Sequence, residues 1–154
     1  MEESNEKNIT PANALAEISL EELSPVLRTA CQNAGWQKLT PVQAKSIPYI
    51  LADRDMMIQS RTGSGKTGAY ILPIMQKIDL ASNVAQALVL VPTRELALQV
   101  SREAQMLAQG SDLRVAVVYG GVGYGAQLEA FRTGAQLVVG TPGRILDHLL
   151  KNTL

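Results

Sequence analysis

A glycine-rich segment, SRTGSGKT at 60–67, has the composition and spacing of a phosphate-binding loop. Its two glycines, Gly63 and Gly65, would let the backbone curl so that successive N–H groups face phosphate oxygens, and the start of a following helix would add partial positive charge. Lys66 would place its ammonium between the β- and γ-phosphates of a nucleotide, and Thr67 would offer its hydroxyl to Mg²⁺. These residues therefore predict a site for a nucleoside triphosphate and Mg²⁺.

The sequence around this loop supports the interpretation. An apolar stretch at 55–60 is predicted to form a strand and 66–78 to form a helix, which is the context that such a loop requires. The first position holds Ser60 where the strict pattern has glycine, and serine is small enough for the loop to form. The alternative is a glycine-rich turn that contains Gly-Lys-Thr by chance. The candidate nucleotide-binding residues are Arg61, Thr62, Gly63, Ser64, Gly65, Lys66, Thr67 and Gly68, with Lys66 and Thr67 also the catalytic candidates and Thr67 the metal ligand.

Three further peptides follow predicted strands at 87–91, 115–119 and 137–140. They are PTRELALQ (92–99), Gly120-Gly121 and TPGR (141–144). The carboxyl ends of parallel strands lie at one edge of a sheet, where ligands bind. We therefore expect a second binding surface beside the nucleotide.

These peptides suit a nucleic-acid backbone chemically. They combine hydroxyl side chains at helix starts, arginines with bidentate geometry and glycines that allow close approach. Such contacts would position a strand without reading its bases. Each peptide alone could equally be a helix cap and turn. The candidate backbone-binding residues are Pro92, Thr93, Arg94, Gly120, Gly121, Thr141, Gly143 and Arg144.

The remaining elements alternate in a way that predicts the fold class. Ser24-Pro25 and Thr40-Pro41 are start signals for two helices, the first ending at Gly35 and the second shortened or bent by Pro48. Further helices are predicted at 95–109, 126–132 and 142–150. Continuous apolar strands between helices predict an α/β fold with a mainly parallel sheet of four strands flanked by helices.

Composition limits the other possibilities. The 154 residues fit one domain, which we place at 18–154 after a polar tail at 1–17. Fourteen basic residues balance fourteen acidic ones, so any nucleic-acid site must be local. Cys31 is the single cysteine, and the sequence shows neither a signal peptide nor a membrane span, which favours the cytoplasm.

The motifs together resemble the first RecA-like domain of DEAD-box RNA helicases, with TGSGKT, PTRELA and TPGR in that family's order. The resemblance runs from about Ile18 to Leu150. It implies a RecA-like P-loop NTPase domain, ATP and Mg²⁺ as cofactors, and RNA as the partner of the three strand-end peptides. The implied activity is RNA unwinding or remodelling coupled to ATP hydrolysis.

The resemblance also assigns an adenine-recognition role to Gln43, which from the residues alone would be a surface glutamine. An amide both donates and accepts, as the adenine edge requires. The family usually has an aromatic residue at the position of Ile18, so we expect weaker nucleotide affinity unless Trp36 compensates. We count Gln43, Trp36 and Ile18 among the nucleotide-binding candidates.

The resemblance further implies segments that this sequence does not contain. The Asp-Glu-Ala-Asp segment and the second RecA-like domain are expected beyond Leu154, so we expect the domain to be incomplete at its C-terminus and inactive alone. The incomplete sheet would expose an edge and favour self-association. Asp147 and His148 are predicted to lie on a solvated helix face, without a catalytic role.

Two other functions remain open at this level. One is a DNA helicase or translocase built on the same fold. The other is a stand-alone module that binds RNA or protein without hydrolysing ATP. The combination of PTRELA and TPGR favours the RNA helicase.

Overall fold

The computed structural model describes residues 12–154 and is centred on a parallel sheet. Its strands are β1 (Ala87–Leu90), β2 (Val115–Val118) and β3 (Leu137–Gly140), in the order β1-β3-β2. The central strand, β3, pairs in parallel with both neighbours, so the carboxyl ends of all three strands lie at one edge. This confirms the predicted α/β class.

The predicted strand at 55–60 is wrong: these residues form no regular element. The apolar run suggested a buried strand, yet the Met57 side chain is 98% exposed. A strand needs a neighbour to receive its backbone hydrogen bonds, and no described segment pairs with this one. The sheet therefore has three strands within residues 12–154, not four.

The predicted helices all form, with ends that differ by up to two residues. Their bounds are α1 (Pro25–Asn33), α2 (Pro41–Leu51), α3 (Lys66–Lys77), α4 (Arg94–Leu107), α5 (Gly125–Arg132) and α6 (Pro142–Leu150). A short 3₁₀ turn at Leu20–Glu22 precedes α1. Every helix within the described residues is too short or too polar to cross a membrane.

Proline effects on α1 and α2 differ from each other. Pro25 occupies the first turn of α1, where the Ser24 hydroxyl accepts a hydrogen bond from the Leu27 N–H as the sequence predicts. Pro48, however, does not shorten α2, which continues to Leu51. Because proline has no N–H, the Ala44 carbonyl loses its helical donor, and the Ile18 N–H donates to it instead at 3.0 Å. The segment before α1 thereby compensates for the proline.

The chain preceding α1 lies along α2. The Leu15 N–H donates to the Tyr49 hydroxyl at 2.9 Å, and the Arg54 guanidinium donates to the Asn13 carbonyl at 2.9 Å. Part of the predicted tail is therefore held against the domain. Residues 1–11 of that tail lie outside the described residues.

The helices cover the sheet on two sides. Buried residues of α1, α3 and α4 form the larger core, and a smaller one includes Ile145 of α6. Only β3 is buried along its whole length. In β1, Leu88 and Leu90 are 47% and 55% exposed, and the outer edge of this strand has no partner among the described residues. Self-association through this edge stays a prediction.

Candidate functional site

The glycine-rich segment forms a loop that ends at the start of α3. Gly63 and Gly65 have φ values of +76° and +93°, in the left-handed region that favours glycine. Gly65 is the residue before the first turn of α3, and Lys66 and Thr67 begin that helix. Free N–H groups at a helix start can bind anions, and phosphate binding by this segment stays a prediction.

The Lys66 ammonium is folded back onto this loop. Its Nζ donates to the carbonyl oxygens of Ser60 and of Arg61, the latter at 2.7 Å. A phosphate group would replace two neutral acceptors with charged oxygens, which attract the ammonium group more strongly. The lysine is thus already held at the loop that an anion would enter.

Gln43 is buried, with 2% of its surface exposed, so the interpretation as a surface glutamine is wrong. Its Oε1 accepts from the Thr40 N–H at 2.9 Å, and its Nε2 donates to the Gly65 carbonyl at 3.1 Å. The side chain therefore joins the start of α2 to the phosphate-binding loop. An adenine contact would use an amide group that is already at the loop.

A cavity of about 520 Å³ lies between these elements. Its lining comprises Trp36, Gln37, Lys38, Thr40, Gln43, Gly63 and Gly65. Ile18 lines a neighbouring cavity of about 330 Å³ with Leu39 and Ala44. The structure therefore brings Trp36 and Gln43 together at the loop and places Ile18 beside a separate depression.

Trp36 also packs directly on α3. A Cβ atom at Gly68 would lie 2.4 Å from the indole ring of Trp36 and 2.7 Å from Gln43 Nε2. No side chain larger than hydrogen fits there without displacing the ring. Gly68 thus allows α3 to pack closely on Trp36 and Gln43, which line the cavity.

The polar groups at this site fit a nucleoside triphosphate. Thr40 Oγ1 and Ser64 Oγ are buried and have no hydrogen-bond partner among residues 12–154. The Thr67 hydroxyl lies near Tyr70 and Glu103, where burial raises the pKa of the Glu103 carboxyl and Thr67 opposes that rise. The sequence interpretation did not identify Glu103. No cluster of three acidic, histidine or cysteine residues that could hold a metal occurs in this part of the chain.

We expect Gln43→Leu to lower the free energy of unfolding by roughly 1–3 kcal/mol, because the Thr40 N–H and the Gly65 carbonyl would lose their partner. Urea unfolding followed by circular dichroism measures the change. Gln37→Leu is the matched control, because Gln37 lines the same cavity and is exposed. Equal stability of the two variants would contradict this role of Gln43.

The PTRELALQ peptide begins α4 at the carboxyl end of β1. The Thr93 hydroxyl caps the helix by accepting from the Leu96 N–H at 3.2 Å. The Arg94 guanidinium lies over the Tyr119 ring, 4.7 Å from its centre, and remains exposed. Arg94 is therefore held next to the end of β2 while its charge faces solvent.

The glycine pair and the TPGR turn are neighbours at the ends of β2 and β3. Gly121 has a φ of +79°, and both Gly120 and Gly121 have open space where a side chain would be. The Thr141 N–H donates to the Val118 carbonyl at 2.9 Å, which joins the two strand ends. Exposed backbone is thus available at both peptides.

Arg144 is only 9% exposed, unlike Gly143 beside it. Its guanidinium donates to the Val122 carbonyl at 2.8 Å and to Gln127 Oε1 at 3.3 Å. It also lies 4.2 Å from the centre of the Tyr124 ring. In this structure Arg144 holds the adjacent loop, and its predicted contact with RNA stays a prediction.

The expected solvated position of His148 is wrong, since this side chain is fully buried. Its Nε2 lies 2.8 Å from Gln127 Oε1, and its Nδ1 lies 2.8 Å from the Thr153 hydroxyl. Asp147 is 51% exposed, as expected. The spacing of Ile145 and His148, three residues apart on one helix, was the available signal for a shared buried face.

The pKa of His148 should make stability depend on pH. Burial lowers this pKa below its usual 6.5, the cations Arg144 and Lys151 lower it further, and Asp147 opposes them. Below pH 6.5 the unfolded chain binds a proton more readily than the folded chain. The free energy of unfolding should therefore decrease as the pH is lowered. Tyr124 also contacts the ring.

We expect this loss of stability to be larger in the wild type than in His148→Gln. Urea unfolding at about pH 7.5 and about pH 5.5 gives both differences. The variant removes the titrating group and keeps a polar side chain. An identical pH dependence in the two proteins would show that His148 does not contribute.

The connection from α3 to β1 limits where the loop can lie. The connection from α3 to β1 packs at the amino ends of the strands, where Gln136 Nε2 donates to the Leu80 carbonyl at 3.2 Å. The twelve residues of α3 span about 18 Å. Lys66 is at the end of α3 that is farther along the chain from this connection.

Comparison with known proteins gives consistent matches. The model of the DEAD/DEAH box helicase family matches residues 40–154. The ATP-dependent RNA helicase DeaD of Mycobacterium tuberculosis is 45% identical over 146 residues, covering 94% of this chain and 26% of that protein. The ATP-dependent RNA helicase CshA of Listeria monocytogenes is 48% identical over 120 residues, covering 78% and 23%. The chain thus spans about a quarter of the length of these curated relatives.

A solved structure agrees with the sequence matches. The crystal structure of a DEAD box protein from the hyperthermophile Methanococcus jannaschii superposes with a TM-score of 0.82 at 40% identity. The match covers 90% of this chain and 39% of that one. The α/β architecture described above is therefore that of a helicase domain of the RecA-like, P-loop type.

Proposed function

Because the chain belongs to the DEAD/DEAH box helicase family, we propose that it is the ATP-binding and RNA-backbone-binding portion of an ATP-dependent RNA helicase. In the whole protein this portion would couple ATP hydrolysis to the unwinding or remodelling of RNA. The observation that carries the proposal is that a glycine-rich loop leads into α3, while the three other peptides follow the carboxyl ends of parallel strands. Both ligands would then meet the same side of one domain.

The nucleotide would be held by main-chain and side-chain groups of the loop. N–H groups from Gly63 to Thr67 would bind the phosphates, and Lys66 would exchange its carbonyl partners for phosphate oxygens. The Thr67 hydroxyl would be a ligand of Mg²⁺, which neutralises charge on the phosphates when bound. Gln43, beside the loop, would recognise adenine.

The RNA backbone would lie across the exposed groups at the strand ends. The starts of α4 and α6 present free N–H groups beside Thr93 and Thr141, and the Arg94 charge faces solvent. Gly120 and Gly121 leave room for a sugar-phosphate chain. These contacts would give affinity without base preference.

Competition binding tests the proposal directly. A fluorescent ATP analogue in the presence of Mg²⁺ should bind the 154-residue chain, and unlabelled ATP should displace it better than GTP because of Gln43. A labelled single-stranded RNA should bind at a site that ATP does not occupy. Displacement of the RNA by ATP alone, or equal displacement of the analogue by ATP and GTP, would contradict the assignment.

Hydrolysis provides a separate test. The sequence contains no Asp-Glu-Ala-Asp segment, whose acidic residues would be needed to hold the metal and orient water. The chain with Mg-ATP and single-stranded RNA is therefore expected to release no phosphate above a Lys66→Ala control. Turnover that depends on Lys66 would show that the chain completes a catalytic site by itself.

RNA affinity should depend only weakly on salt. About three phosphate contacts predict a slope of about −2 when the logarithm of the association constant is plotted against that of the salt concentration. Fluorescence anisotropy at several potassium chloride concentrations measures the slope. A slope near zero would exclude backbone binding, and a much steeper one would require cations outside the three peptides.

A further inference from the structure

Two buried side chains, Gln127 and His148, connect the peptides at the ends of β2 and β3. Gln127 is 4% exposed, and its Nε2 donates to the Tyr119 carbonyl at 3.0 Å, directly before the glycine pair. Its Oε1 faces Arg144 of the TPGR turn and His148, which both lie on α6. One amide group therefore contacts both strand-end peptides.

The hydrogen bonds determine the form of the histidine. Gln127 Oε1 lies 2.8 Å from His148 Nε2. Because this amide oxygen can only accept, His148 Nε2 must carry the proton of the hydrogen bond. In the neutral ring Nδ1 then accepts, and the Thr153 hydroxyl is the donor at 2.8 Å. Both ring nitrogens are thus used, and the ring is further enclosed by Phe131 and Tyr124.

Arg144 completes the connection. Its guanidinium reaches the Val122 carbonyl, two residues beyond Gly120, at 2.8 Å. The Gly120–Val122 segment is therefore held from both sides: by Gln127 at Tyr119 and by Arg144 at Val122. His148 fixes the amide orientation that lets Gln127 accept from Arg144.

We propose that Gln127 and His148 are positioning residues that set the spacing between the glycine pair and the TPGR turn, so that both can contact one RNA backbone. This inference rests on the proposed RNA-binding function. The sugar-phosphate chain limits the distance between neighbouring phosphates, so two peptides bind one strand well only if their separation falls within that range. Both side chains are buried, so neither would touch RNA in this arrangement.

Four variants separate this role from general stability. Gln127→Leu removes all three hydrogen bonds of the amide. His148→Asn can replace only the Nδ1 contact with Thr153, whereas the longer amide of His148→Gln can reach Gln127. Gln136→Leu is the control, because Gln136 is equally buried and hydrogen bonded but lies at the amino edge of the same sheet.

RNA affinity, affinity for the ATP analogue and hydrogen exchange are measured on the folded variants of the 154-residue chain. Gln127→Leu and His148→Asn should weaken binding of labelled single-stranded oligouridylate about tenfold and leave affinity for the ATP analogue within about twofold. His148→Gln and Gln136→Leu should keep RNA affinity near the wild-type value. Hydrogen exchange in Gln127→Leu and His148→Asn should accelerate at 119–123 and 141–145 but not at 60–68.

The outcomes distinguish failure of the positioning role from failure of the proposed RNA-binding function. Unchanged RNA affinity, a parallel loss of RNA and ATP affinity, or unchanged exchange at 119–123 would overturn the positioning role. If Gln127→Leu does not fold, the His148→Asn and His148→Gln pair decides. If the wild-type chain binds no RNA, the proposed function fails, while the exchange data still show whether these residues fix the loop spacing.

Discussion

Lys66→Ala is expected to reduce affinity for an ATP analogue by about two orders of magnitude, because a charged donor to the phosphates is lost. The folded structure should change little, since the ammonium group donates only to carbonyls of its own loop. Isothermal titration calorimetry in the presence of Mg²⁺ gives the affinity.

Lys45→Ala is the matched control for this substitution. Lys45 lies on α2, is half exposed, and pairs with Glu17 at 3.9 Å, a surface contact of little energetic value. Its loss should leave nucleotide affinity unchanged. Equal affinities of Lys66→Ala and the wild type would show that Lys66 of this loop does not bind the phosphates.

Gly65→Ala is expected to lower the free energy of unfolding by about 1–3 kcal/mol and to abolish measurable ATP binding. The residue has a φ of +93°, and a Cβ there would lie 2.7 Å from Gln43 Nε2 and 2.8 Å from Thr40 Oγ1. The new methyl group would push apart the hydrogen-bonded start of α2 and the loop. Chemical denaturation and calorimetry measure the two effects.

Gly63→Ala separates backbone strain from crowding. Gly63 also has a positive φ, +76°, but a Cβ there would meet nothing within 4 Å. This variant should show only the strain cost, roughly 1 kcal/mol. If the two alanine variants are equally stable, crowding against Gln43 and Thr40 does not contribute to the loss of stability. If they also bind ATP equally well, the close packing of α2 on the loop is not needed for nucleotide binding.

Local signals predicted the helices well because their causes are local. The Ser24-Pro25 start of α1 depends on one hydroxyl and one fixed φ angle, both of which the sequence shows directly. The TPGR helix, α6, likewise begins at Pro142 as predicted. The motifs also predicted a glycine-rich loop before α3, and Gly63 and Gly65 have the positive φ that such a loop requires.

Features that depend on distant partners were not predictable in this way. The segment at 55–60 has the composition of a strand, but pairing requires a neighbour that the described chain does not supply. The burial of Gln43 and of His148 depends on Gly65 and Gln127, respectively, which are 22 and 21 residues away in sequence. A polar residue is expected to be exposed unless the hydrogen-bond partners that would allow its burial are known.

Photo-cross-linking would show which edge of the sheet contacts RNA. A single-stranded RNA that carries thiouridine is irradiated with the chain in the presence of Mg²⁺ and an ATP analogue, and cross-linked peptides are identified by mass spectrometry. We expect cross-links within 92–94, 119–123 and 141–144, at the edge of the sheet formed by the carboxyl ends of the strands. Cross-links concentrated around Ser82, Asn83 and Gln136, at the opposite edge, would contradict this expectation.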